Sequence, residues 1–368
     1  MKRFKSIDIL RGISMCWMIY GHCMTWWLND ANFWYYHVAR AIGDFLGSGN
    51  FVFLSGISVM LSYRSRKDKA LLSKDLNFSQ VRNEYLFRAF FMLLVAFGYN
   101  FIVSIMYGNF LLMWNWFVLQ TVAVCLFLGW PLLKTHKMVR ISLGILLWIG
   151  NRFFLEYLLP YEGEASVNGI LYYIFYNDTN LDVILSFFTI FLLGTVIGDI
   201  VYDLSKIENE EGKLEIVKTK LIIPLFLSGA IMISFGMIYD FPLFAYHRSF
   251  SWLFFSVGID ILLFATVFSL DFLGLLETKK SYTFFSYFSY YSFSVYLAHN
   301  PLFFVFLRKL DWMWLQPAAF SALIMIGLII RALYKSKWRE YVSIKVQIGI
   351  LSAYLSRRII EKKKIYDP

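Results

Sequence analysis

Apolar residues in this chain come in long unbroken runs, not in alternation with polar ones. Ten runs can be marked, roughly 9–28, 45–63, 87–107, 111–133, 139–159, 183–202, 221–239, 252–275, 285–307 and 317–334. Each is near the ~20 residues that a helix needs to cross a bilayer. Continuous runs predict helices, because barrel strands would alternate. The expected fold is therefore all-α, a polytopic membrane bundle of about ten transmembrane helices. The second run is short, and Gly43, Gly47, Gly49 and Gly56 loosen it. Such a segment is tolerable only where neighbouring helices satisfy its backbone.

The charged residues between the runs give an orientation. With the N-terminus inside, 30 of the 35 Lys and Arg fall in inner segments and 5 in outer ones, alternating at every loop. Basic residues favour the cytoplasmic side, so both termini are expected inside. Residues 1–335 form the predicted membrane domain. Residues 336–368 form a basic, amphipathic cytoplasmic tail, with Trp338, Tyr341, Ile344, Ile348 and Leu351 at helical spacing, suited to anionic membrane lipids.

Composition agrees with this reading. The chain is 59% hydrophobic and only 16% charged, with mean hydropathy +0.58, far from a soluble domain. The net charge of +10 reflects the inner loops and is no nucleic-acid signature. The first run is too long for the core of a cleavable signal peptide. Cys16, Cys23 and Cys125 lie in or beside apolar runs without paired or metal-like spacing, so neither disulfides nor a metal site are expected. An integral multi-pass protein follows, placed in the cell membrane in a prokaryote.

Ionisable residues inside apolar runs are costly, and their default reading is a functional site. The first run carries Arg11 and His22, with Asp8 just before it. His37 and Asp44 follow in the next outer segment, seven residues apart, so two helical turns would place a base and its orienting acid on one face. His299 lies in the ninth run, and Pro301 predicts a bend beside it. Gln120 is a polar amide in the fourth run, bonding another helix or lining a cavity. Arg82 and Arg88 flank Glu84 at the start of the third; their planar forks suit phosphate. Structural hydrogen bonding, interfacial exposure and topogenic charge are the plainer alternatives for these residues. His136 and His247 have no patterned partner. The loop 160–182, with Glu162, Glu164, Asp178 and Asp182, reads as a solvated lid or a cover for a polar acceptor.

Taken in order, several segments resemble membrane-bound acyltransferases. SIDILRG followed by His22 resembles their opening, and FVFLSGISVMLSYR (51–64) is similar to their second-span signature. The basic stretch from Arg82 to Arg88 looks like their arginine motif. FSYYSFSVYLAHNPL (288–302) resembles a late segment of the acyltransferase-3 branch. WFVLQTVAV (116–124) looks like a Gly-Val-Leu-Gln segment of the heparan-α-glucosaminide N-acetyltransferase branch, with Phe117 in place of the Gly. That segment and the compact ten-run build favour the glucosaminide-type branch.

The resemblance implies an acyl-CoA-dependent acetyltransferase. It would take acetyl from cytoplasmic acetyl-CoA and deliver it to an amine or hydroxyl of a sugar-like or glycan acceptor, across the membrane in some members. The matching residues imply a histidine base, His22 ranked before His37 with Asp44, and His299 as a further member of the site. Arg11, Arg82, Arg88 and Gln120 are the expected acetyl-CoA contacts. Related enzymes are sometimes dimers, so a homodimer is among the expectations. The competing class is a proton-coupled transporter or flippase for a polar or glycan substrate, since broken helices and buried ionisable groups mark those too.

Overall fold

A computed structural model describes residues 4–72, 77–110, 113, 117–176, 184–207, 212–242, 250–276 and 282–366. Asp178, Asp182 and His247 lie outside the described residues. The described elements are helical, apart from one bridge pairing Leu28 with Leu310. They are α1 (Lys5–Trp27), α2 (Trp34–Gly43), α3 (Ser48–Leu72), α4 (Phe78–Tyr107), α5 (Val118–Leu132), α6 (Lys137–Leu158), α7 (Val167–Phe175) and α8 (Ile184–Ser205). After α9 (Lys213–Val217) come α10 (Ile223–Tyr239), α11 (Phe250–Phe272), α12 (Thr283–Tyr290), α13 (Ser292–Ala298), α14 (Phe303–Phe306), α15 (Trp312–Lys335) and α16 (Ile344–Tyr366).

The protein is an all-α, multi-pass integral membrane protein. Seven described helical stretches are long and apolar enough to cross a membrane: 34–72, 78–107, 137–161, 184–205, 213–239, 251–272 and 312–335. The other three expected runs are helical but fall short of that measure, each for a local reason. α1 carries Lys5, Asp8, Arg11 and His22. α5 has 15 residues and holds Pro131. The ninth run is broken. Helix α13 stops at Ala298, and Asn300–Leu302 forms a 3-10 turn, because Pro301 has no N–H and clashes with the carbonyl four residues back.

The chain forms two compact units. The first comprises Val52–Leu214 and Ile348–Pro368. Here α3 and α8 approach closely through glycine: a Cβ on Gly56 would strike the backbone of Phe191, and one on Gly194 that of Phe53. Small residues let membrane helices touch in this way. Asn77 caps α4 by accepting from Ser79 N at 3.0 Å, and Gly108, left-handed at φ 64°, ends it. His136 caps α6 through Nδ1, which accepts from Met138 N at 3.3 Å. In α16 the buried stripe Ile348, Ser352 and Ser356 meets α4, where Ser356 Oγ donates to Gln80 O at 3.1 Å. This part of the basic tail therefore packs on protein.

The second unit comprises Lys2–Phe51 and Glu215–Gln347. α1 packs against α11, α12 and α15, and α10 pairs along its length with α11. Lys218–Ile222 is a π turn. Pro224, just beyond it, has no N–H to continue the α register, and a one-residue slip accommodates that. Asp311 caps α15 by accepting from Trp314 N at 2.8 Å.

Candidate active site

The C-terminal end of α1 is tied to the segment that follows the broken ninth helix. Trp27 Nε1 donates to Leu302 O at 2.7 Å. Arg308 N donates to Trp26 O, Leu310 N to Trp27 O and Asn29 N to Leu310 O, each at 2.8 Å. To reach this pairing the chain puts two non-glycine residues in the left-handed region, Leu307 at φ 41° and Arg308 at φ 58°. An L-residue there costs about 1–2 kcal/mol, and such strain tends to collect where function constrains the backbone.

This staple brings together two of the sequence candidates. The imidazole rings of His22 and His299 lie 4.7 Å apart, centre to centre. The Trp26 indole stacks on both, at 4.7 Å from His22 and 5.6 Å from His299. His299 is buried, 3% exposed. Its Nδ1 is hydrogen-bonded to the Tyr296 carbonyl, which can only accept, so Nδ1 carries the proton. That leaves Nε2 with a lone pair, and this atom is buried without a partner. A buried imidazole nitrogen with nothing to bond is an open acceptor position.

His37 lies apart in kind. It is exposed on α2, and its ring packs on Phe33 and Tyr36 at 5.5 and 5.4 Å. Asp44 starts a 3-10 turn just past α2 and is held by Arg40, with Nη2 at 3.1 Å and Nε at 3.4 Å. Tyr36 in turn accepts from Arg40 at 2.7 Å. The acid expected to orient His37 is thus engaged by an arginine one turn away. Near the start of α1, Asp8 accepts from the Ser289 hydroxyl at 2.8 Å, and Arg11 is half-buried.

The remaining candidates belong to the first unit. Arg82 and Arg88 are both exposed near the start of α4. Glu84 between them is buried, ion-paired with Arg66 and bonded to Gln80 at 3.1 Å. It therefore leaves the two arginines to other partners; Arg82 Nε donates to Asn83 at 3.2 Å, and Gly349 of α16 lies against the Arg88 guanidinium. Gln120 is buried with both ends of its amide partnered: Oε1 accepts from Phe117 N and Nε2 donates to Ala96 O, each at 3.2 Å. It ties the start of α5 to α4. Among the described residues no three of His, Cys, Asp or Glu gather as a metal site would need.

Two features are not singled out by the sequence patterns above. Arg140, counted there as an inner-loop charge, is fully buried, bonded to Thr195 O at 3.0 Å and ion-paired with Asp199, which also pairs with Arg64. Asp260 is fully buried in α11. An acid midway along run 252–275 is the signal that could have found it.

Residues 3–250 match the catalytic family of heparan-alpha-glucosaminide N-acetyltransferase. The matched stretch contains His22, His37, Asp44, Arg82, Arg88 and Gln120; His299 lies beyond it. No curated protein and no solved structure matches the chain.

Proposed function

This chain belongs to the heparan-alpha-glucosaminide N-acetyltransferase catalytic family, and we propose that it transfers acetyl from cytoplasmic acetyl-CoA to an amine of a sugar-like acceptor, with His22 as general base. An amine is preferred to a hydroxyl because the family is one of N-acetyltransferases. The observation that carries the reading is the apposition of His22 and His299, with His299 Nε2 buried and unpartnered.

The attacking nitrogen must lose a proton as it meets the thioester carbonyl. A neutral imidazole is suited to take it near pH 7. His299, its tautomer fixed by the Tyr296 carbonyl, offers a lone pair beside His22 that can hold an acceptor N–H or O–H in place. Trp26, stacked across both rings, limits the directions from which a substrate can come. Arg82 and Arg88 are assigned the CoA phosphates on the strength of their charge and planar geometry, and Arg11, on the helix of His22, is a separate candidate for the same role. His37 is the second choice of base, with Asp44 and Arg40 shaping its surroundings. Gln120, given its partners, serves this scheme by fixing α5 to α4.

Calorimetric titration of acetyl-CoA into the detergent-purified protein tests the donor. Binding that survives in His22→Ala while turnover on a glucosamine acceptor disappears supports the scheme. Folded protein that binds no acetyl-CoA would sink it, and proton-coupled flux in liposomes would then be measured. Wild-type turnover by His22→Ala would move the base to His37.

A further inference from the structure

Among the described residues, one buried acid away from the two histidines has no hydrogen-bond partner. Asp260 is fully buried in α11, and neither of its carboxyl oxygens makes a hydrogen bond. Ser256, one helical turn earlier, is also buried, and its hydroxyl is likewise unpartnered. Residues four apart share a helix face, and this face is turned away from α10. Helix α10 is met instead by Gly258, which lies against Gly229 and Ile233, and by Leu262, which lies against Gly229. Further along the face of Asp260, Phe268 packs on Phe4 at 5.7 Å and Asp271 accepts from Ser6 N at 2.9 Å. The stripe is therefore on the side of α11 that meets α1, the helix carrying His22. All of these residues belong to the second unit.

Neighbouring carboxylates have partners. Asp8 takes the Ser289 hydroxyl, Asp271 the Ser6 amide and Asp44 the Arg40 guanidinium. An ionised, unpaired Asp260 in a membrane interior would be far costlier than a neutral acid. A neutral acid still has an O–H to donate and a carbonyl to satisfy, and Ser256 has the same needs. Side chains four apart on a helix are about 5–6 Å apart at Cβ. A single water making two O–H···O bonds of about 2.7–2.8 Å can bridge oxygens carried one helical turn apart, whereas a sodium-like cation would want more oxygens than two side chains offer.

We propose that Asp260 and Ser256 form a proton site inside the membrane: a neutral carboxylic acid joined through one water to the Ser256 hydroxyl, relaying the proton that acetyl transfer releases. The relay rests on the N-acetyltransfer reading above; the site does not. An acceptor arriving as R–NH₃⁺ loses two protons as its N–C bond forms and the C–S bond of acetyl-CoA breaks. One ends on the CoA sulfur as the thiol. The other must leave the membrane interior, and Asp260 hands on its own proton as it takes this one.

Infrared spectra of the full chain in lipid nanodiscs, in H₂O and D₂O at neutral pH, test the site. Expected is the carbonyl stretch of a protonated carboxyl that moves in D₂O, vanishes in Asp260→Asn and shifts in Ser256→Ala. No such band, or one abolished by adding sodium or potassium, overturns the proton site. If Asp260→Asn does not fold, Ser256→Ala decides, and an unchanged band overturns the water bridge. For the relay, Asp260→Asn should lower kcat about tenfold or more, with acetyl-CoA affinity unchanged by calorimetry. An unchanged kcat overturns the relay. A wild-type protein that acetylates no amine brings down the relay and the acetyltransferase reading together, and the infrared band still decides the site.

Discussion

The two units treat buried charge in opposite ways. In the first, Glu84 pairs with Arg66 and bonds Gln80, and Arg140 pairs with Asp199 and bonds Thr195 O. Of the Arg140 guanidinium, Nη1 and Nη2 are partnered and Nε is not. In the second, buried Asp260 has no partner at either oxygen and buried His299 has none at Nε2. Leaving a buried polar group unmet is expensive, so a fold that does it keeps the vacancy for a ligand or a proton. The difference teaches where to look for chemistry: the first unit uses its charges to hold helices together, and the second holds some of its own in reserve.

The sharpest way to break this comparison is to remove a partner from the first unit. Asp199 binds both Arg140 and Arg64. In Asp199→Ala the fully buried Arg140 keeps only the Thr195 carbonyl, and breaking such a pair costs about 3–5 kcal/mol. That is a large share of a typical total of about 5–15 kcal/mol. Thermal unfolding in detergent should show the loss, with activity falling because folded protein falls. A variant that melts like the wild type would mean that the network is ornamental. The second unit should respond the other way. His22→Ala should lose about 10²–10⁴-fold in turnover, with acetyl-CoA affinity and melting temperature little changed. If it instead unfolds, His22 is a packing residue, and the contrast between the units fails at that position.

The helices were legible because a bilayer imposes a length and forbids unpaired backbone; each of the ten apolar runs has helix under it, broken in the ninth where Pro301 requires. The histidines were legible singly, since His22 and His299 each stand out in apolar sequence. Their meeting was not, because it depends on a turn with two left-handed residues and on hydrogen bonds to main-chain atoms, which have no side-chain signature. The ion pair of Arg140 was not legible for a physical reason: topogenic charge and buried ion pairs use the same residue at the same end of a helix. Gln120 shows the reverse, a polar residue in hydrocarbon whose two hydrogen bonds are both spent on backbone. Asp260 was visible as an acid midway along a span, but only the packing of α11 shows it to be without a partner.

A smaller effect probes a face where the first unit exposes two arginines. Arg82 and Arg88 are exposed, and Glu84 between them is committed to Arg66. A charge-assisted hydrogen bond is worth about 1.5–3 kcal/mol, so Arg82→Ala with Arg88→Ala should weaken acetyl-CoA binding by at least about tenfold in calorimetry, leaving the melting temperature unchanged. Undiminished affinity would confine this face to structure and topology, and the contrast between the units would become complete.

The smallest effect should come from the strained turn of the second unit. Leu307 at φ 41° carries about 1–2 kcal/mol of backbone cost, and its side chain is 45% exposed, so little packing repays it. Leu307→Gly removes the strain while adding about 0.5–1 kcal/mol of unfolded-chain entropy. The balance is a stability change of no more than about 1 kcal/mol, in the stabilising direction, read from thermal unfolding. If the strain serves to hold His299 beside His22, the same variant should lose turnover modestly, because the segment from Pro301 to Leu310 gains freedom. A variant that is more stable and fully active would show that the left-handed turn only lets Leu310 reach α1. One that is clearly less stable would show that the Leu307 side chain anchors the turn after all, and that this part of the second unit is built like the first.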